Sequence, residues 1–160
     1  MVRIGVLSDT HIPERARFLP RALLAQFAQV DHIFHAGDIV RVSVLDELAA
    51  LAPVTAVRGN MDGAEARLSL KASLTLEGIS LGLIHGHGGS KADIRERIRR
   101  EFDNPRVIVY GHTHEAYWGE ERGVWFLNPG SPTDTTVAPF RSWGILTLEN
   151  GKIRGEIIRL

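Results

Sequence analysis

The stretch Ile4-Gly5-Val6-Leu7-Ser8-Asp9-Thr10-His11 decides the fold of this chain, because it joins an apolar strand to a polar loop. Its first half lies in the run Val2–Leu7, whose length and apolar content predict a buried β-strand. Asp9 and His11 then fall in the loop directly after that strand. A buried strand that ends in polar residues of this kind is typical of an α/β protein with a site at the strand end.

The same arrangement recurs at two further predicted strands, residues 32–36 and 54–57. Each of these strands ends in a glycine followed by a polar residue, as Gly37-Asp38 and Gly59-Asn60. Apolar residues at helical spacing predict an amphipathic helix on either side of the second strand. Strands and helices that alternate in this way predict a parallel sheet core with helices packed on its faces.

The second half of the chain adds a hairpin and another strand, each followed by histidines. Residues 68–76 alternate apolar and polar side chains and precede the apolar run Ile79–Ile84, which predicts a β-hairpin. His85-Gly86-His87 follows this hairpin. Gly111-His112-Thr113-His114 follows a further predicted strand, residues 106–110. Polar residues therefore follow five predicted strands.

The remaining segments complete one domain, predicted to span residues 1–160. Ser90 and Asp93 are spaced as a helix capping box, and Ile94 and Ile98 lie on one face of the helix predicted after it. No linker, repeat or low-complexity segment interrupts the chain. Short strands are predicted in the last third, over residues 124–127, 143–148 and 153–159.

The residues after the five strands have the chemistry of a metal site. In an open α/β sheet, ligands bind beyond the carboxyl ends of the strands, where these loops converge. Imidazole, carboxylate and amide groups without a thiolate suit Mn²⁺, Fe, Zn²⁺, Co²⁺ or Ni²⁺ better than Ca²⁺. Seven donors exceed the needs of one tetrahedral ion and suit two ions bridged by a carboxylate. The predicted ligands are Asp9, His11, Asp38, Asn60, His85, His112 and His114.

Composition excludes several other classes of function. The 160 residues are 44% hydrophobic and 24% charged, as in a globular domain. With 19 basic and 19 acidic residues the formal net charge is zero, so no general attraction to nucleic acid or to an acidic membrane is expected. No cysteine is present, which excludes disulfides and thiolate chemistry. No apolar run reaches the ~20 residues of a membrane span, and we expect a cytoplasmic protein.

The chain resembles the calcineurin-like metallophosphoesterases in motifs that occur in the same order. Its length and the segment Asn128-Pro129-Gly130-Ser131 resemble the small phosphodiesterase branch found in bacteria and archaea. The resemblance implies a four-layer α/β/β/α sandwich in which two mixed sheets are flanked by helices. The motifs are Asp9-x-His11, Gly37-Asp38, Gly59-Asn60-x-Asp62, His85-Gly86-His87 and Gly111-His112-x-His114.

The resemblance also implies a metal assignment and an activity. One ion would take Asp9, His11, Asp38 and His114. The second would take Asp38, Asn60, His85 and His112, with Asp38 and a water or hydroxide bridging the two ions. The implied function is a dinuclear-metal-dependent phosphodiesterase that hydrolyses small phosphate diesters through the bridging hydroxide. Mn²⁺ is the first choice of metal, and a homodimer is the assembly that the resemblance suggests.

One position departs from the pattern of the wider superfamily. A histidine that can protonate the leaving group usually follows the Gly-Asn pair, but here that residue is Met61. His87 is the candidate replacement for this proton donor. The alternative interpretation is that His87 is an ordinary loop residue. The candidate catalytic residues are the ligands Asp38 and Asn60, together with His87. Asp62 is expected to orient a ligand or close a turn.

Two other functions stay open at this stage. A protein-binding scaffold similar to the small subunit of the retromer sorting complex shares the fold and the motifs, although every ligand position here holds a metal-binding residue. A nuclease is disfavoured by the neutral charge and the short chain. His35 is expected to be a structural histidine, and Arg97 belongs to a helix face whose mixed charges predict solvent exposure.

Overall fold

Strands dominate the chain in the computed structural model, which describes all 160 residues, Met1–Leu160. The strands are β1 (Val2–Leu7), β2 (His32–His35), β3 (Val54–Ala56), β4 (Lys71–Leu76), β5 (Ile79–Ile84), β6 (Val107–Val109), β7 (Tyr117–Glu121), β8 (Val124–Asn128), β9 (Ser142–Glu149) and β10 (Lys152–Arg159). The α-helices are α1 (Arg21–Phe27), α2 (Ser43–Ala49) and α3 (Ile94–Arg99), and a short 3₁₀ helix covers Ala64–Ala66. None of these helices has the length and apolar character that crossing a bilayer requires.

The strands form two mixed five-stranded sheets. The first has the order β10-β9-β1-β2-β3, and its members β1, β2 and β3 are parallel, as the alternation of strands and helices predicts. The second has the order β4-β5-β6-β8-β7, with β5, β6 and β8 parallel and the edge strands β4 and β7 antiparallel to their neighbours. The predicted hairpin is the pair β4–β5.

Helices cover the outer faces of both sheets. The inner faces bury a shared apolar layer in which Ile4 and Val6 of the first sheet belong to the same cluster as Leu83 and Val109 of the second. Helices α1 and α2 pack on the outer face of the first sheet, and α3 packs on the outer face of the second. This arrangement confirms the predicted four-layer α/β/β/α sandwich.

Two local predictions are wrong. Strand β7 is missing from the sequence prediction, because its two glutamates and central Gly119 give an edge strand little apolar alternation. The capping box is also absent. Helix α3 begins at Ile94, its N-cap Asp93 makes no side-chain cap bond, and the Ser90 hydroxyl instead accepts a hydrogen bond from the Ala92 N–H.

Candidate metal centre

The loops after the parallel strands meet at one edge of the two sheets. Within the first sheet, the Asp9 N–H donates to the Gly37 carbonyl at 2.9 Å, which joins the loops after β1 and β2. Within the second, the Gly111 N–H donates to the His85 carbonyl at 3.1 Å, which joins the loops after β6 and β5. A side chain at position 111 would lie 1.9 Å from the Ser8 hydroxyl, so glycine there lets the two sheets' loops touch.

Most of the predicted ligands adopt left-handed backbone conformations. A non-glycine residue in this region is uncommon, although Asp and His tolerate it better than most, and the cost is on the order of 1–3 kcal/mol. Such strain persists where the surroundings hold a residue in place, as at binding sites. The φ angles are +55° at Asp9, +41° at His11, +55° at Asp38, +71° at His112 and +62° at His114.

Asp9, His11 and His114 form a buried group of ligand atoms. The Asp9 Oδ1 atom lies 3.3 Å from His114 Nε2 and 3.9 Å from His11 Nε2. Neither Asp9 Oδ1 nor His11 Nε2 has a hydrogen-bond partner. Two donors around one ion at a tetrahedral angle are about 3.4 Å apart, so a cation fits between these atoms.

A second group consists of Asp9, Asp38 and His85. His85 donates from Nδ1 to the Ala36 carbonyl at 2.7 Å, which turns Nε2 toward the site. His85 Nε2 lies 3.3 Å from Asp38 Oδ2 and 3.9 Å from Asp9 Oδ1. His11 Nε2 is 3.4 Å from the same Asp38 oxygen, so the Asp38 carboxylate faces histidines of both groups.

Asn60 and His112 lie at the solvent side of the second group. The exposed Asn60 places its Oδ1 atom 3.0 Å from His85 Nε2. The half-buried ring of His112 has its centroid 5.2 Å from that of His85, but its nitrogens belong to neither group of ligand atoms. The structure thus brings Asp9, His11, Asp38, His85 and His114 together and leaves the other two predicted ligands beside them.

The electrostatics of the site favour a cation. Burial opposes the charge of Asp9, but the facing imidazoles of His11, His114 and His85 outweigh it and hold the pKa of that carboxyl below its usual range. Burial likewise disfavours charge on His85 and His114, yet the nearby carboxylates, including Asp38 beside His85, raise the pKa of both imidazoles. The carboxylates of Asp9 and Asp38 are therefore charged, and they lie close to the imidazole nitrogens of His114 and His85.

Asp134 orients His114, and sequence reasoning missed it. Its carboxylate accepts a 2.5 Å hydrogen bond from His114 Nδ1, which turns Nε2 toward Asp9. Burial would raise the pKa of Asp134, but His114 and the Thr136 N–H and hydroxyl lower it. A carboxylate behind a histidine is a common support for a metal ligand. No local motif in the sequence connects Asp134 with a histidine twenty residues earlier.

Asp62 organises the loops after β2 and β3. Its carboxylate accepts hydrogen bonds of 2.8–2.9 Å from the backbone N–H groups of Asp38, Ile39, Val40 and Gly59. These bonds hold the loop that carries Asp38 against the loop that carries Asn60. The expectation that Asp62 orients a ligand agrees with this geometry.

The segment Asn128-Pro129-Gly130-Ser131 joins the loops of the two sheets. The Asn128 side chain donates to the Gly111 carbonyl at 3.1 Å, beside His112. The Ser131 hydroxyl donates to the Asp9 carbonyl at 2.8 Å. This segment therefore stabilises the relative position of ligands that come from different sheets.

His87 and Met61 also lie at the site. The His87 ring centroid is 5.5 Å from that of His85 and 6.5 Å from that of His112, and its buried Nδ1 atom has no hydrogen-bond partner. Burial lowers the pKa of His87. Met61 is 51% exposed, and its N–H donates to Asp38 Oδ1 at 2.8 Å.

His35 is the structural histidine that the sequence predicts. The Gly37 N–H donates to His35 Nδ1 at 3.2 Å, so Nε2 carries the proton and donates to the Thr10 hydroxyl at 3.1 Å. Burial lowers the pKa of His35 to about 4. The neutral ring thereby links the loop after β1 to the loop after β2.

The chain is similar to known proteins in sequence and in fold. The model of the calcineurin-like phosphoesterase superfamily domain matches residues 2–151. A probable metallophosphoesterase of Methanothermobacter thermautotrophicus is 38% identical over 158 residues, which cover 98% of this chain and 91% of that protein. A phosphodiesterase of Methanocaldococcus jannaschii is 29% identical over 145 residues, covering 81% and 83% of the two chains. The structure of Vps29 in complex with Zn²⁺ from Entamoeba histolytica has a TM-score of 0.77 at 23% identity and covers 98% of both chains.

Proposed function

The chain belongs to the calcineurin-like phosphoesterase superfamily, and on this premise we propose that it is a phosphodiesterase that hydrolyses small phosphate diesters with two divalent metal ions. The observation that carries the proposal is the pair of buried, unpartnered atoms Asp9 Oδ1 and His11 Nε2. Buried polar atoms without partners are rare in folded proteins, and a cation supplies the missing interaction for both.

The proposed assignment divides the ligands between two ions, with Asp38 in common. Support for the shared position comes from Asp38 Oδ2, which lies within 3.4 Å of both His11 Nε2 and His85 Nε2. Mn²⁺ is the proposed metal. One ion takes Asp9, His11, Asp38 and His114, and the other takes Asp38, Asn60, His85 and His112.

The chemistry then divides between the metals and the protein. Two ions held by these residues would neutralise charge on the phosphate and would lower the pKa of a water molecule so that hydroxide is available as the nucleophile, and no protein nucleophile would be required. The protein holds the ligands in orientation through Ala36 at His85, Asp134 at His114 and Asp62 at the Asp38 loop. We assign proton donation to the leaving group to His87, because the Met61 thioether carries no proton to give.

The leaving group tests the role of His87. Because His87 is not at the usual donor position, where Met61 lies, we expect it to be a weak general acid. Losing a general acid costs up to about 10²–10⁴ in rate, so aryl diesters should turn over well and alkyl diesters poorly. Met61→His restores the usual donor and should raise alkyl-diester turnover by about 10². Met61→Leu is the matched control and should change the turnover of neither aryl nor alkyl diesters. Wild-type rates that do not depend on the pKa of the leaving group would show a fully effective donor and would contradict the weak donation expected of His87.

The activity itself is tested with bis-p-nitrophenyl phosphate. We expect metal-dependent turnover by the Mn²⁺-loaded protein and its loss in Asp38→Ala. Asp46→Ala, an exposed carboxylate change on α2, is the control and should retain full turnover. If the folded, metal-loaded protein has no turnover on any phosphate ester, the alternative of a protein-binding scaffold on the same fold is favoured.

A further inference from the structure

One arginine of α3 contacts the loop that carries His87. The Arg97 guanidinium donates to the Gly86 carbonyl at 2.9 Å, to the His87 carbonyl at 3.3 Å and to the Ser90 carbonyl at 3.4 Å. Three carbonyls within residues 86–90 are therefore held by a single side chain. A planar guanidinium, with donors fixed in a fork, can span such a set, whereas the donors of an ammonium group radiate from one atom on a flexible stem and fix the loop less firmly.

The loop has a glycine at the point where the Arg97 side chain packs against it. A Cβ atom at Gly89 would lie 2.5 Å from Arg97 Nε, so glycine at this position makes room for the guanidinium. Arg97 Nε is itself buried and has no hydrogen-bond partner, and the Asp93 carboxylate oxygen is 3.8 Å away. The hydrogen bonds of Arg97 thus all go to the loop, and Asp93 adds only a longer ion pair.

Arg100, three residues later at the end of α3, has different contacts. It is exposed and bonds the Glu96 carboxylate at 2.7 Å in an ordinary pair across one helical turn. The sequence prediction of a solvent-exposed charged face fits Arg100 and does not fit Arg97. Arg100 therefore offers a matched control for any change at Arg97.

We propose that Arg97 is a positioning residue that holds residues 86–90 so that His87 faces the metal centre. The anchored carbonyls are those of His87 itself and of residues on either side of it. The His87 ring is held within 5.5 Å of His85 and 6.5 Å of His112, measured between centroids. The kinetic consequence of this role rests on the proposed phosphodiesterase function, but the structural role does not.

The experiment compares Arg97→Met and Arg97→Lys with Arg100→Met and His87→Asn. In the metal-free protein, the carbon–proton cross-peak of the His87 ring, assigned from His87→Asn, should shift in Arg97→Met. It should shift less in Arg97→Lys and stay in place in Arg100→Met. In the Mn²⁺-loaded protein, Arg97→Met should lower alkyl-diester turnover by about 10–100-fold, the usual cost of losing a support behind a site.

A second substrate and a double variant show whether the kinetic effect of Arg97→Met acts through His87. Bis-p-nitrophenyl phosphate, which needs no proton donor, should lose less than alkyl diesters in Arg97→Met. In the His87→Asn background the same change should have almost no further effect on turnover, because both substitutions remove the same contribution, proton donation by His87.

The outcomes separate the two proposals. An unshifted His87 cross-peak in Arg97→Met, or a kinetic effect that adds fully to that of His87→Asn, overturns the role of Arg97. Absence of turnover in the wild type overturns the proposed function, while the cross-peak still decides the role of Arg97. If Arg97→Met does not fold, Arg97→Lys supports the proposal by a shifted peak and overturns it by an unshifted one.

Discussion

The two sides of the metal centre differ in how firmly the protein holds them. On the buried side, made of Asp9, His11 and His114, Asp134 orients His114, and the Ser8 hydroxyl and the His112 N–H bond the Asp9 carboxylate. On the open side, made of Asn60, His87 and His112, the Asn60 side chain is exposed and the ring of His112 makes no hydrogen bond. The buried side is ready for a cation, and the open side leaves room for substrate.

The largest expected effect comes from exchanging a ligand on each side. Asp9→Asn removes a charge that faces both groups of ligand atoms, and we expect turnover to fall by about 10³-fold or more, a loss of several kcal/mol. Asn60→Ala removes one neutral, exposed ligand and should lower turnover by about 10–100-fold while one ion still binds. Calorimetric titration with Mn²⁺ measures metal binding in both variants, and steady-state kinetics measures their turnover. If both variants lose metal affinity and turnover to the same extent, the buried and open sides do not differ as described.

A smaller effect is expected from the support behind the buried side. Asp134→Asn should weaken binding of the first ion by about 10–100-fold, because a neutral amide orients His114 less firmly than a carboxylate. The second ion should be affected less. Asp103→Asn, at an exposed carboxylate far along the chain, is the control. Unchanged metal affinity in Asp134→Asn would show that the buried side does not depend on this hydrogen bond.

The last effect concerns the stability of the fold and not the metal, and it involves His35, which joins the loops on which Asp9 and Asp38 lie. Burial depresses the pKa of His35 from 6.5 to about 4, so the folded state favours the neutral ring. This contribution is complete above pH 6.5 and is lost as the pH falls toward 4, by about 3 kcal/mol in all. Urea unfolding of the metal-free protein across this range, in the wild type and in His35→Gln, measures it. We expect a flatter pH dependence in the variant, and parallel curves would contradict the assignment.

The fold was accessible from the sequence because its signals are local. Apolar runs such as Val2–Leu7 and Ile79–Ile84 mark the buried strands, and the resemblance in ordered motifs supplied the four-layer arrangement. Strand β7 escaped prediction because an edge strand buries only one side and needs little apolar character. The start of α3 escaped because Ser90 bonds its neighbour Ala92 and not the helix.

The residue types of the site and one of its supports, Asp62, were accessible from the sequence, but the other supports were not. The predicted ligands follow strand ends, and a sequence records that order directly. Asp134 and Arg97 act across the fold, on His114 and on residues 86–90, through contacts that neither spacing nor composition encodes. The left-handed backbone at Asp9 and Asp38 is likewise a product of the surrounding loops.

The two sides together should bind two ions. Anomalous diffraction from crystals grown with Mn²⁺ tests it most directly. We expect two peaks roughly 3.5–4 Å apart, the spacing of two-metal hydrolases. One should lie among Asp9, His11 and His114, and the other beside Asp38 and His85. A single peak, or peaks only outside this group of residues, would contradict the account.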